Sequence, residues 1–413
     1  MMKQISITLT TVFLSSHLAA VEWQAHGIAD VRITSSDSNE SYLTGGTGKF
    51  ASDGETELAL AQLAAEVSGR WSQTLSTHLV VNSYSQAGDA GVGVTEGYLK
   101  YKSLPSESGW RVENRTGLFY PKISLENEAF AWSSINTLNS SMLNTWIGEE
   151  IRLTGSEIKL TKLGKFSDRD YDLSVTATAF VGNDPAGALL SWHGWTSSNR
   201  QTSFGQGQRF ARMPASAPGQ VLSGQAAKSS PFEEVDDRIG YQVQFDWKQA
   251  KRGKFNIGYY DNRSKPYLVD DGQYGWAAKF AYAGARWKLS DDLELTTQYL
   301  RGSNLMQRSD RTDVVNNVYS TGFAMLTKKI DRRHKVSLRL EEFSVTDKDS
   351  TAGDNNDEYG KAATLNYTYR YSKPLFLSAE FNWVKSDRPS RAYQSLPVSL
   401  TEQQIQFAAR YFF

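Results

Sequence analysis

The feature that most constrains this chain is an alternation of apolar and polar residues sustained over a bilayer-spanning length. Tyr171, Leu173, Val175, Ala177, Ala179 and Val181 alternate with Asp172, Ser174, Thr176 and Thr178. A period of two belongs to an extended strand with one apolar and one wet face. The pattern returns with Ile239, Tyr241, Val243, Phe245 and Trp247 against Gln242, Gln244, Asp246 and Lys248. It returns again with Leu293, Leu295, Thr297 and Tyr299 against Glu294, Thr296 and Gln298. Soluble edge strands are rarely this long.

Further candidate strands cover 23–33, 58–71, 75–85, 93–103, 110–120, 147–160, 255–262, 274–288, 318–328, 334–345, 360–371, 375–385 and 402–413, giving about sixteen in all. The apolar stretch 189–195 is the one ambiguous segment. Lipid offers no water to satisfy a free sheet edge, so a membrane sheet must close, and threading it from one side requires an even strand count. Without 189–195, the short turns near 72–73, 106–109, 250–253, 290–292 and 372–373 all fall on one side and the long connections on the other. The expectation is therefore an all-β, closed antiparallel transmembrane barrel with long external loops and short periplasmic turns. Residues 182–237 then form one long external loop, whose Gly, Gln, Ala and Ser content is that of an irregular or mobile segment. Tyr and Trp near strand ends, among them Trp71, Trp110, Tyr120, Trp287 and Tyr371, suit the headgroup region.

Lys3, the apolar run from Ile5 to Leu14 and the small-residue end at Ala19 and Ala20 read as a secretory signal over 1–20, leaving 21–413 as a single barrel domain. The apolar run is about half of the roughly 20 residues a membrane-spanning helix needs. With no cysteine, the chain has no thiolate chemistry and no disulfide scaffold. It carries 45 basic and 45 acidic residues, so no global charge signals a nucleic-acid partner. A mean hydropathy of −0.49 fits a barrel in which every second residue faces a wet lumen.

In the last strand, Ile405, Phe407, Ala409, Tyr411 and Phe413 share one face, and Gln404, Gln406, Ala408 and Arg410 the other. This strand resembles the C-terminal strand of bacterial outer-membrane proteins, which the barrel-assembly machinery reads; the resemblance gives Tyr411 and Phe413 the role of an assembly signal. Sixteen strands with eight external loops resemble the porin family, in which the third loop folds inward. Here that loop is 121–146, flanked by Leu118–Asn127 (LFYPKISLEN) and Asn144–Glu150 (NTWIGEE), which look like segments of porins related to the phosphate-selective class. The resemblance implies a bacterial outer-membrane location among lipid and lipopolysaccharide, passive diffusion of small hydrophilic solutes or ions, and a homotrimer. It does not transfer phosphate specificity, because the wet faces carry both signs of charge.

By alternation and height, Arg32, Arg115, Arg152 and Arg339 reach the middle of the lumen. The expected constriction sets these, with Lys122, against Glu126 and Glu128 of the third loop, giving a transverse field across the pore. The alternative for these residues is a set of solvated or paired wall charges.

Two rival classes are a loop-plugged structural or ligand-binding barrel and a barrel enzyme such as a phospholipase or protease. For the enzyme, His26, His78, His193 and His334 fall in no Ser-His or Asp-His spacing, and there is no G-x-S-x-G turn. No cofactor or metal is expected. Gly91 to Gly97 departs from a dinucleotide fingerprint, and Ala352 occupies the glycine position of a calcium loop that would use Asp347, Asp349 and Glu358.

Overall fold

A computed structural model describes residues 21–86 and 89–413. The signal read over 1–20 lies outside the described residues. Sixteen antiparallel strands close into one barrel. They are β1 (Glu22–Ser36), β2 (Thr56–Arg70), β3 (Leu75–Gln86), β4 (Asp89–Lys102), β5 (Trp110–Phe119), β6 (Leu153–Lys162), β7 (Tyr171–Val181) and β8 (Gly240–Gln249). The second half comprises β9 (Gly253–Asp261), β10 (Lys279–Lys288), β11 (Leu293–Gln307), β12 (Asp313–Lys329), β13 (His334–Asp347), β14 (Glu358–Arg370), β15 (Leu375–Asp387) and β16 (Ser399–Phe412). No described helix is long and apolar enough to cross a membrane.

Closure joins β1 to β16 from Ile28 opposite Phe412 to Ser36 opposite Gln404. The outward face of β16 is the apolar one: Ile405, Phe407, Tyr411 and Phe413 are all exposed. Its inward residues Gln404, Gln406, Ala408 and Arg410 are buried. Alternation thus sets the face of each side chain, as lipid outside and a polar interior require.

Three expectations need correction. Strand 147–160 begins as a helix, α1 (Met142–Glu150), and only Leu153–Lys162 joins the barrel. Met142, Leu143, Trp146, Ile147 and Ile151 recur at helical spacing, and Ser141 caps the first turn by accepting from Asn144 N at 3.3 Å. The third loop therefore runs 120–152 rather than 121–146. Strand 274–288 begins only at Lys279.

The third correction concerns the lumen, whose outer half is not wet. Phe180, Tyr260, Phe280, Leu300, Tyr319 and Phe343 point inward from the wall and pack against Ile123, Met142, Trp146 and Ile147 of the third loop. Leu190 and Trp195 of the fourth loop join the same core. The stretch 189–195 is no barrel strand, yet neither is it external. It contains the short helix α2 (Ala188–His193), and almost every residue from 183 to 203 is buried. Tyr120, read as a belt residue, stacks instead on Trp132 inside the barrel at 4.4 Å.

Candidate functional site

Loop three is fastened across the lumen by charge-assisted hydrogen bonds, the stronger class of such bonds. Its backbone offers carbonyls to wall arginines and amides to wall carboxylates. Arg339 on β13 reaches Glu126 at 2.5 Å, Glu341 at 2.7 Å and the carbonyl oxygens of Asn139 and Ser140 at 2.9 and 3.2 Å. Arg32 on β1 pairs with Asp30 at 2.7 Å and donates to the Leu138 carbonyl at 3.1 Å. In the opposite sense, Glu380 accepts from Leu138 N and Asn139 N, and Glu341 accepts from Met142 N at 2.8 Å. Glu126 also accepts from Ser141 N at 3.0 Å and Asn144 Nδ2 at 2.8 Å.

The two-sided constriction is corrected accordingly. Glu126 and Arg339 form a direct ion pair, both fully buried, so no open gap carries a field between them. Arg115 forks onto Glu157 of the neighbouring strand at 2.8 and 2.7 Å. Arg152 donates to Tyr120 Oη, to the Thr202 carbonyl and to the Gly148 carbonyl, tying the third loop to the fourth. Glu128 pairs with Lys254 and, at 3.2 Å, with Arg286. For Glu126, Arg339 and Arg115 the physical reason is desolvation: a charge enclosed in a packed interior persists only with a partner. Alternation places Arg339 and Arg32 on the inner wall, but the pairings depend on a loop path that periodicity does not encode.

Within the barrel, a chamber lies below the third loop, toward the short turns. A cavity of about 510 Å³ is lined by residues of β4 to β11, with Lys122, Leu125 and Glu128 on its ceiling. Its lining includes Lys248, Lys251, Arg252, Lys254, Arg286 and Lys288 against Glu113, Asp172, Asp246 and Glu294 among its acids, so bases outnumber acids around it. Lys122 faces this vestibule. Enclosure by the barrel and, next, the neighbouring Arg115 lower its pKa, although its amine still reaches the water of the cavity. Gly284, beneath the loop, allows a close approach: a Cβ there would lie 2.8 Å from Leu125 Cδ1.

Residues 214–413, just under half of the chain, match the family described as "Putative beta-barrel porin-2, OmpL-like". Among solved structures, the outer membrane channel DcaP of Acinetobacter baumannii superposes with a TM-score of 0.57 at 12% identity, covering 97% of this chain and 100% of that one. The anion-selective porin from Comamonas acidovorans gives 0.54 at 12% identity, over 95% and 100%. The trimer form of OmpT of Vibrio cholerae gives 0.51 at 9% identity, over 96% and 100%. No curated protein sequence matches. The chain has the fold of these outer-membrane barrels.

The barrel also contains two arrangements that spacing alone does not reveal. On its inner wall near the short-turn end, His78 Nε2 lies 3.1 Å from Ser76 Oγ, and His78 Nδ1 lies 3.4 Å from Glu66 Oε1. Partners two residues apart on one strand, and a third on the next, share a face, a signal that a search for motifs passes over. Ser76 also pairs in register with Arg70 on one side and Lys100 on the other, which commits the local backbone to the sheet. In the fourth loop, Asp184, Glu234 and Asp236 bring ligand atoms within 4.8 Å of one another. Each accepts a backbone amide, from Val235, Gly182 and Lys265 respectively, so together they knot the base of the loop.

Proposed function

We propose that this barrel is a passive channel for small hydrophilic solutes or ions across the outer membrane of a Gram-negative bacterium, narrowed by the third and fourth loops. The basic vestibule beneath the third loop carries this reading: a wide, charged, water-accessible chamber on the short-turn side is what a diffusing hydrophilic solute needs, and what a purely structural plug does not. In the same reading, residues 1–20 are a cleaved signal, Tyr411 and Phe413 are read by the assembly machinery, and lipopolysaccharide surrounds the outer girdle. Three copies associate, as in the trimer form of OmpT.

The apolar core inside the outer half of the lumen favours a second reading, a loop-plugged barrel. Reconstitution separates the two. A channel swells liposomes in a manner graded by sugar size and gives discrete steps in planar bilayers. Removing 188–203 should then raise the single-channel conductance. An absence of steps and swelling before the deletion, with both present after it, would identify a plug and sink the channel reading.

We further propose that the barrel is not an enzyme. An acyl-transfer centre needs donors aimed at the developing oxyanion, and the amides beside Ser76 serve the sheet. Covalent labelling of Ser76 by a fluorophosphonate, abolished in Ser76→Ala, would overturn this.

A further inference from the structure

A second cavity, of about 330 Å³, lies across the third loop from the basic vestibule, at the short-turn ends of β13 to β16. It differs in character. Ile135 and Leu138 of the third loop form one side, and Phe376 of β15 with Phe412 of β16 form the other. Three cations border it, Lys335, Lys373 and Arg410, and no carboxylate lines it.

The three cations are not equally engaged. Arg410 is engaged from behind by Asp30 at 3.2 Å, a carboxylate it shares with Arg32, and by the Ser134 carbonyl at 2.8 Å. Lys335 is half-buried and donates only to neutral acceptors, the Ile135 carbonyl and Asn136 Oδ1 at 3.1 Å. Lys373 is exposed in the turn between β14 and β15, and no ion pair reaches it among the described residues. Two ammonium groups therefore face an apolar chamber without a counter-charge. Thr368 and Ser378, hydrogen-bonded to each other at 3.2 Å, add hydroxyls to the same wall.

This combination selects among ligands. An inorganic anion would leave the aromatic surfaces wet. A neutral apolar molecule would leave both ammonium groups without a counter-charge. A bilayer acyl chain is kept out by the barrel wall, because Phe376 and Phe412 point to its inner face. A volume of this size falls within the usual range of small-molecule pockets, roughly 300–1,000 Å³.

We propose that this cavity binds a small amphiphilic carboxylate with a one- or two-ring aromatic body. The ring lies between Ile135, Leu138, Phe376 and Phe412, and the carboxylate meets Lys335 and Lys373. The inference does not require that the ligand crosses the barrel, so binding and conductance are read separately.

The test is isothermal titration of the mature protein, in nanodiscs of zwitterionic phosphatidylcholine, with 2-naphthoate. Saturable binding is expected, with acetate and the neutral 2-naphthylmethanol each weaker by about tenfold or more, the weight of one charge-assisted contact or of the apolar body. Lys335→Gln/Lys373→Gln should weaken naphthoate by at least about the same factor. Ile135→Asp should do likewise, by supplying an internal counter-charge. Lys373 is exposed, so Lys373→Gln alone keeps the fold and should give a partial loss. Heat-modifiable mobility on gels confirms that each variant has folded. The proposal is overturned if no saturable heat appears, if the alcohol binds as well as the acid, or if the folded lysine variants bind like the parent. Channel activity that persists without naphthoate binding would remove this site and leave the channel reading standing.

Discussion

Arg339 concentrates the residue-scale physics of the interior. Its guanidinium is fully enclosed and has six hydrogen-bond partners: Glu341, Glu126, Thr137, Asn139, Ser140 and Thr364. Breaking a buried pair by removing one partner leaves the other charge uncompensated, at a cost of about 3–5 kcal/mol. Arg339→Ala should therefore lower the midpoint of thermal unfolding, followed by gel mobility, and should raise amide exchange across 137–142. An unchanged midpoint together with unchanged exchange would show that the pair does not anchor the loop. The sequence made half of this legible. Alternation along 334–345 points Arg339 and Glu341 inward, whereas the arrival of Glu126 depends on where the loop turns, and no periodicity records that.

At the scale of elements, the contact between α1 and the fourth loop carries its own pH dependence. Glu149 is fully buried on α1, and burial pushes its pKa up to about 8, with the neighbouring Glu150 adding to the effect and Tyr42 and Arg200 opposing it. Glu150, raised mainly by burial to about 7, accepts the amides of Gly187 and Leu189. His193 on α2 lies 3.7 Å from Glu149, and burial drives its pKa down to about 3. Near neutral pH the two therefore meet as uncharged groups rather than as an ion pair.

The sign follows from proton counting. An unfolded glutamate ionises near 4.5 and the native Glu149 near 8, so the native state holds the extra proton between these values and stability falls as pH rises through that window. The histidine acts in the opposite sense, but only below its ordinary 6.5. Between pH 6.5 and 8 the glutamates act without the histidine, and Asp354, which accepts from Trp192 on α2 and is raised by burial to about 7, acts in the same sense at the lower end of that interval. Amide exchange in α1 and α2 should accelerate over that interval, and Glu149→Gln/Glu150→Gln should flatten the dependence. Exchange that slows with pH, once corrected for intrinsic base catalysis, would contradict the assignment. The segment 147–160 imitates a strand because Ile147, Ile151 and Leu153 fall on one face at period two, with only Glu149 interrupting it. The stretch 189–195 was excluded from the wall by parity but offered no clue that it would turn inward. Short apolar runs do not distinguish buried helix from buried strand.

For the molecule as a whole, strand number, closure and the outward face of β16 were all readable, because lipid imposes them on every strand alike. The seam between the first and last strands also contains a detail that periodicity could not give. Phe413 and Gly27 exchange backbone hydrogen bonds at 2.8 and 3.1 Å, and a Cβ on Gly27 would fall 2.2 Å from the Phe413 ring. Gly27→Val should therefore reduce the heat-modifiable, closed fraction after refolding into bilayers, and Phe413→Ala in the same chain should restore part of it, since it removes the collision. If the double variant closes no better than Gly27→Val alone, the ring contact is not what the glycine serves.

One cluster near the outer rim has a consequence for how the interior can move. Lys49 from the first loop and Arg388 from the eighth both pair with Glu358 at the start of β14, and the same carboxylate accepts Trp195 N at 2.9 Å. Arg388 reaches on to the Ser191 carbonyl at 2.7 Å. A single carboxylate thus holds three loops at once, two through buried ion pairs and the fourth loop through a backbone amide. The three loops therefore share one anchorage on the wall, so a change at that carboxylate, such as Glu358→Gln, is felt by all of them at once.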